Sequence, residues 1–139
     1  AIAAGISDGL GFGDNAKAAL MTRALVEMVR FGEAHGGHHA TFYGLAGIGD
    51  LITTCVSPHG RNRAVGIRLG RGEPLADIVG SMRQVAEGVY TTRSVHERAL
   101  VLSLDMPIST AVFQVLYENK PAVQAVQDLM LRDLKSELS

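Results

Sequence analysis

Residues 14–34, DNAKAALMTRALVEMVRFGEA, decide the fold class. Met21, Leu25, Met28 and Gly32 recur at i, i+4, i+7 and i+11, the spacing of one helical face. Arg23, Glu27 and Arg30 fall on another face, with Arg23 and Glu27 spaced for a weak ion pair. Leu20, Val26, Val29 and the alanines widen the apolar arc, so this helix is expected to be central. Asp14 or Asn15 offers a short side-chain oxygen to cap its orphaned first-turn N–H groups, and Gly36-Gly37 should stop it.

Working outward, the same period recurs and a period of two does not. Residues 40–55 read as short helical pieces broken at glycines. Ser57-Pro58 is a hydroxyl cap followed by proline, a helix start expected to run to about Leu69 and close at Gly70 or Gly72. Residues 74–80, PLADIVG, make a short helix. Residues 91–104 place Val95, Ala99 and Leu102 on one face. Pro107 opens a helix turning Ile108, Val112 and Val115 or Leu116 inward. Pro121 opens the last, with Val123, Val126, Met130 and Leu134 as its expected inner face. The expectation is an all-α domain of seven or eight helices filling residues 1–139.

Composition limits the function classes. At 139 residues the chain suffices to bury about two thirds of its unfolded surface. Thirteen Lys and Arg against 14 Asp and Glu leave no electrostatic footprint for a polyanion, which disfavours a nucleic-acid partner. Hydrophobic residues reach 47% while aromatics are 5% and Trp is absent, a palette suited to close helix packing. The single Cys55 rules out an internal disulfide and points to a reducing compartment. No apolar run is long enough to span a bilayer. The chain opens on AIAAGI, in the middle of a helix-like segment, and reads as the interior of a longer protein.

GLGFGDN and GLAGIGD resemble dinucleotide loops only superficially. Their glycine spacing is wrong and no strand precedes them, so helix crossings and turns explain the glycines better. HGGHH (His35, His38, His39) straddles a helix break and lacks partner ligands, which reads as a solvated turn and no metal site. His59 and His96 are isolated, Cys55 lies in an apolar stretch as a buried thiol, and Arg68, Arg71, Arg83, Arg93 and Arg98 read as solvated helix faces.

HGRNR differs in kind. At a helix start, free N–H groups and the dipole favour an anion. Arg61 adds a planar fork for phosphate oxygens, Asn62 a further donor, and Gly60 lets a ligand reach the backbone. A surface helix start in water is the equally weighted alternative on these residues alone. Asp50, after Gly-Ile-Gly, is expected to be semi-buried and hydrogen-bonded, with Thr54 one turn beyond. Acceptors for hydroxyls beside donors for phosphate suit a polyol phosphate.

In that order, ISDGLGFGDNAKAAL, GLAGIGDLITTC, GRNR and VAEG make the chain, over essentially its whole length, resemble the C-terminal substrate domain of NAD(P)-dependent sn-glycerol-3-phosphate dehydrogenases of the bacterial biosynthetic type. The resemblance implies an all-helical domain of the 6-phosphogluconate-dehydrogenase C-terminal type, partnered by an N-terminal Rossmann domain absent from this chain. It implies NAD(P)H-dependent interconversion of dihydroxyacetone phosphate and sn-glycerol 3-phosphate for phospholipid synthesis, in the cytoplasm, by a protein that pairs as a homodimer. It implies catalytic positions for Asp50 and Thr54, substrate-phosphate contacts for Gly60, Arg61 and Asn62, and cofactor contacts for Arg61, Val85 and Glu87. The bacterial pattern has Ser where Gly60 stands, which leaves a backbone N–H to replace the hydroxyl. The family's general acid/base lysine lies upstream of residue 1, so this chain by itself is expected to be inactive. Two other readings compete: the helical domain of a sister hydroxy-acid dehydrogenase, and a non-catalytic helical interaction module.

Overall fold

The structure, a computed structural model, describes residues 1–132. Eight α-helices account for most of them: α1 (Ile2–Gly9), α2 (Asp14–Glu33), α3 (Asp50–Val56), α4 (Arg61–Gly70), α5 (Leu75–Ser81), α6 (Gly88–Val101), α7 (Pro107–Tyr117) and α8 (Ala122–Met130). A 3-10 turn (His39–Tyr43) and a π-helical turn (Leu45–Gly49) connect α2 to α3. Among the described residues there is no strand, and no helix is long and apolar enough to cross a membrane.

Two short helices carry the architecture. α1 and α4 each bear a Gly-x-x-x-Gly pair, Gly5/Gly9 and Gly66/Gly70, and cross with their backbones touching. A Cβ at Gly5 would lie 2.1 Å from the Arg63 carbonyl oxygen, and one at Gly66 2.0 Å from that of Ile2. No side chain of any size fits there. α1 also separates two apolar cores. Ile2 and Ile6 join Val65, Ile78, Val89, Val112 and Leu116 on one side; Ala4 joins Leu25, Val29, Leu51 and Cys55 on the other. Val65 and Ile78 are fully enclosed, and burying such a side chain stabilises by roughly 1.5–3 kcal/mol. The central helix is therefore α1 and not, as the sequence suggests, α2, which buries only its Leu25–Val29 stripe.

α2 otherwise matches its expected apolar face. Leu25 is buried, Met21 and Met28 pack against the second core, and Gly32 lies under the Phe42 ring. Its start differs: Gly13 occupies the N-cap position and Asp14 is the first helical residue, with no side-chain cap. Its stop is as expected. Gly36 takes a left-handed φ of 83°, and the Gly37 N–H donates to the Gly32 carbonyl at 2.8 Å.

Glu27 corrects the polar-face expectation. It is 4% exposed, and its carboxylate caps α7. The Ile108 N–H donates to Oε1 at 2.6 Å; the Ser109 N–H (3.0 Å) and hydroxyl (2.8 Å) donate to Oε2. Pro107 at the start of α7 has no N–H, and the Thr110 N–H reaches the Met106 carbonyl, so this first turn has no orphan donor. Burial pushes the Glu27 carboxyl up, and its three donors and Arg30 only partly oppose the shift.

α6 begins at Gly88 and ends at Val101, so it is displaced toward the N-terminus relative to residues 91–104. α8 is rotated from its expected face. Ala122 and Ala125 are buried and Val126 and Leu129 pack behind them, while Val123 and Met130 face solvent. Small alanines let the helix approach the core more closely than a valine-methionine face allows. Leu134 lies outside the described residues. Three of the arginines expected on solvated faces have structural contacts. Arg68 pairs with Glu73, Arg93 lies 4.3 Å over the Tyr117 ring, and the Arg98 Nε donates to the His35 Nε2 at 3.1 Å.

Candidate functional site

Gly60, Arg61 and Asn62 lie at the α3–α4 junction, and Thr54 lies on the helix that precedes it. Ser57 does not start a helix. Proline forces the residue before it into extended backbone, and Ser57 has φ −60° and ψ 128°. Its hydroxyl accepts the His59 N–H at 3.2 Å, and its carbonyl accepts the Gly60 N–H at 3.3 Å, closing a tight turn. Gly60 is the N-cap of α4, and its carbonyl takes the Ala64 N–H at 2.9 Å. The correction has two consequences. The Gly60 N–H is committed to the Ser57 carbonyl. Arg61, Asn62 and Arg63 become the first three helical residues, whose N–H groups find no acceptor among the described residues.

Consecutive helical side chains diverge by about 100°, and these three point three ways. The Arg63 Nε and Nη2 both donate to the Asp8 Oδ2 on α1, at 2.9 and 2.6 Å. The Asn62 Oδ1 accepts the Gly88 N–H at the start of α6, at 2.9 Å. Arg61 is exposed, and its Nη1 donates to the Gln84 Oε1 at 3.3 Å. With Oδ1 engaged, the NH2 is the remaining polar group of the Asn62 side chain, a donor. Gly88 makes this possible: a Cβ there would sit 2.7 Å from Oδ1.

The segment 84–88 is thereby fastened to the first turn of α4. It carries Val85, exposed, and Glu87, exposed at the N-cap of α6, each next in sequence to a residue that bonds the first turn of α4. Thr54 is half-buried, and its carbonyl lies 3.5 Å from where a Gly60 Cβ would sit. Asp50 is the first residue of α3 and one turn before Thr54, as expected, but it is exposed and not semi-buried. Among the described residues its carboxylate has no hydrogen bond or ion pair, to Arg61 and Asn62 or to any other side chain. The neighbouring hydroxyl of Thr53 donates to the Gly49 carbonyl instead.

Sequence reasoning missed Gln84, Gly88, Asp8 and the inward role of Arg63. The signal for Gly88 was available in VAEG, and the Arg-Asn-Arg run carried a hint that one arginine must turn away from the other. Asp8 carried none, since Arg63 is 55 residues from it. Burial alone would push the Asp8 carboxyl up; the hydrogen bonds and charges of Lys17 and Arg63 outweigh it and hold the group below the ordinary aspartate range. Two apolar grooves lie elsewhere, one between α2, α7 and α8 and one beside Gly72 and Pro121. Among the described residues no three His, Cys, Asp or Glu side chains are grouped to hold a metal ion.

The chain is similar to known proteins over nearly its whole length. A family profile described as the C-terminus of NAD-dependent glycerol-3-phosphate dehydrogenase matches residues 1–127. A glycerol-3-phosphate dehydrogenase [NAD(P)+] of Geobacter metallireducens is 58% identical over 137 residues, covering 99% of this chain and 41% of the relative. One of Pelodictyon phaeoclathratiforme is 55% identical over the same shares. The crystal structure of a glycerol-3-phosphate dehydrogenase from Coxiella burnetii superposes with a TM-score of 0.91 at 44% identity, over 94% of this chain and 40% of that one. The chain thus spans about 41% of the length of these curated relatives. It belongs to the family of NAD-dependent glycerol-3-phosphate dehydrogenase C-terminal domains.

Proposed function

We propose that this chain is the substrate-binding part of an enzyme that interconverts dihydroxyacetone phosphate and sn-glycerol 3-phosphate with NAD(P)H. The observation that carries the reading is the first turn of α4. Open N–H groups and an exposed Arg61 guanidinium lie there beside the Asn62 carboxamide, which Gly88 fixes. A phosphate monoester dianion suits that donor set, because charge-assisted N–H bonds to phosphate oxygens are stronger than neutral ones and the helix dipole adds to them. Asp50 and Thr54 supply acceptors toward the hydroxyl end of the substrate. Bound NAD(P)H supplies the hydride for the carbonyl carbon. Arg61, Val85 and Glu87 border the cofactor on this side, and the dinucleotide site itself belongs to the Rossmann part of the longer protein. A lysine preceding α1 serves as the proton donor to the carbonyl oxygen. The residues here orient substrate and neutralise its charge; they transfer no proton.

The test is Arg61→Ala in the full-length protein. We expect kcat/KM for dihydroxyacetone phosphate to fall by roughly 2–4 kcal/mol, that is, about 30- to 1,000-fold. A non-catalytic helical module, or a sister enzyme whose substrate lacks phosphate, would leave that ratio unchanged.

A further inference from the structure

We propose that Asp8 is a positioning residue for this phosphate clamp, acting through Arg63, and that Arg63 itself touches no phosphate. The inference rests on the reading of Arg61 and Asn62 just given. The Asp8 carboxylate, at the end of α1, is held on both oxygens: the Lys17 Nζ of α2 lies 2.8 Å from Oδ1, and the Arg63 fork closes on Oδ2. The Arg63 and Asp8 side chains are only 18% and 15% exposed. Every geometric demand on Arg63 points into the protein. Its fork is spent on Asp8, and its carbonyl rests against Gly5 of α1.

A helix that touches its neighbour through bare backbone has no side-chain ridges to fix its rotation about its own axis. The first turn of α4 is in that position, since Arg63 meets Gly5 of α1 through bare backbone, while the buried Val65 and Leu69 side chains anchor only the turns that follow. Two polar bonds supply the missing constraint on two sides: Arg63 to Asp8, and Asn62 to Gly88. With both in place, Arg61 is left facing the exposed third side. Loss of the Asp8 contact lets the turn rotate, and the Arg61 guanidinium moves with it. The second arginine of the Arg-Asn-Arg run is thus a strut for the first.

The experiment uses the full-length enzyme and initial rates. Asp8→Asn should raise the KM for dihydroxyacetone phosphate about tenfold, with kcat within about twofold and the KM for the nicotinamide cofactor unchanged, because misplacing one oriented contact by a fraction of an ångström costs on that scale. Arg63→Lys keeps the charge but loses the fork, and should give a smaller rise in the same KM; it also serves if Asp8→Asn does not fold. The decisive measurement is the double variant. If Asp8 acts through Arg61, then in an Arg61→Ala background Asp8→Asn adds nothing to KM, whereas a general loss of packing adds its full effect. An unchanged KM in folded Asp8→Asn and Arg63→Lys, or additive effects in the double variant, overturns the proposal. If Arg61→Ala raises KM and Asp8→Asn does not, only this inference falls. If Arg61→Ala leaves KM unchanged, the phosphate reading falls and takes this one with it.

Discussion

Two junctions hold this domain together by opposite means. Where α1 crosses α4, side chains are absent and backbone lies on backbone. Where α2 meets α7, a single long side chain, Glu27, reaches the donors of the facing helix, and beside it an apolar groove of about 470 Å³ is left between α2, α7 and α8. The first junction is steric and admits no substitution. The second is electrostatic, and its carboxylate is kept ionisable inside the protein at the cost of desolvation. The candidate site stands on the steric one.

The strongest attempt to break that contrast is Gly66→Val. Its Cβ would meet the Ile2 carbonyl, which cannot rotate away, so we expect a loss of about 4 kcal/mol or more in denaturant unfolding. A near-native midpoint would show that the crossing has slack. Next is Glu27→Ala, which strands two N–H groups at the start of α7 and should cost about 2–4 kcal/mol in the same measurement. A loss under half a kcal/mol would mean that water replaces the carboxylate.

Acid titration sharpens the comparison, because the two buried acids respond with opposite sign. Asp8 has a lowered pKa in the fold, so its contribution is complete above the ordinary aspartate value and is lost as pH falls through the lowered one. Glu27 has a raised pKa, so the fold holds its proton more tightly than the unfolded chain does. Its contribution is larger below the ordinary glutamate value and declines as pH rises through the raised one. Urea midpoints followed from about pH 3 to 7 should therefore separate the variants, in the range where such carboxyls titrate. Asp8→Asn should flatten the acid limb, and Glu27→Gln should remove a decline on the neutral side; identical profiles would contradict both shifts. The smallest effect is a control in open space. Gly80 lies within α5, and a Cβ there meets nothing, so Gly80→Ala should stabilise by roughly 0.5–1 kcal/mol.

The features legible in the sequence were those decided within a few residues. Gly36-Gly37 ends α2 and Pro107 begins α7 because φ freedom and a missing N–H are local properties. Arg61 and Asn62 were recognisable as residues of a helix start for the same reason. Glu27 was illegible because its partners are 81 and 82 residues away, and spacing placed it on a polar face that the fold buries. The inner face of α8 was misread because periodicity favoured Val123 and Met130, while close packing chose Ala122 and Ala125. The start of α4 was misplaced by three residues because Ser57 uses its oxygens to close the turn and does not cap the helix.

The crossing of α1 and α4 has a mechanical consequence. Side-chain layers act as bearings: they shear, repack and absorb small displacements. This seam has no such layer, so where the two backbones touch, a displacement of α1 passes straight to α4. Any closing motion around a bound molecule must then be taken up where the chain can bend, at the left-handed glycines Gly11 and Gly72 that follow α1 and α4.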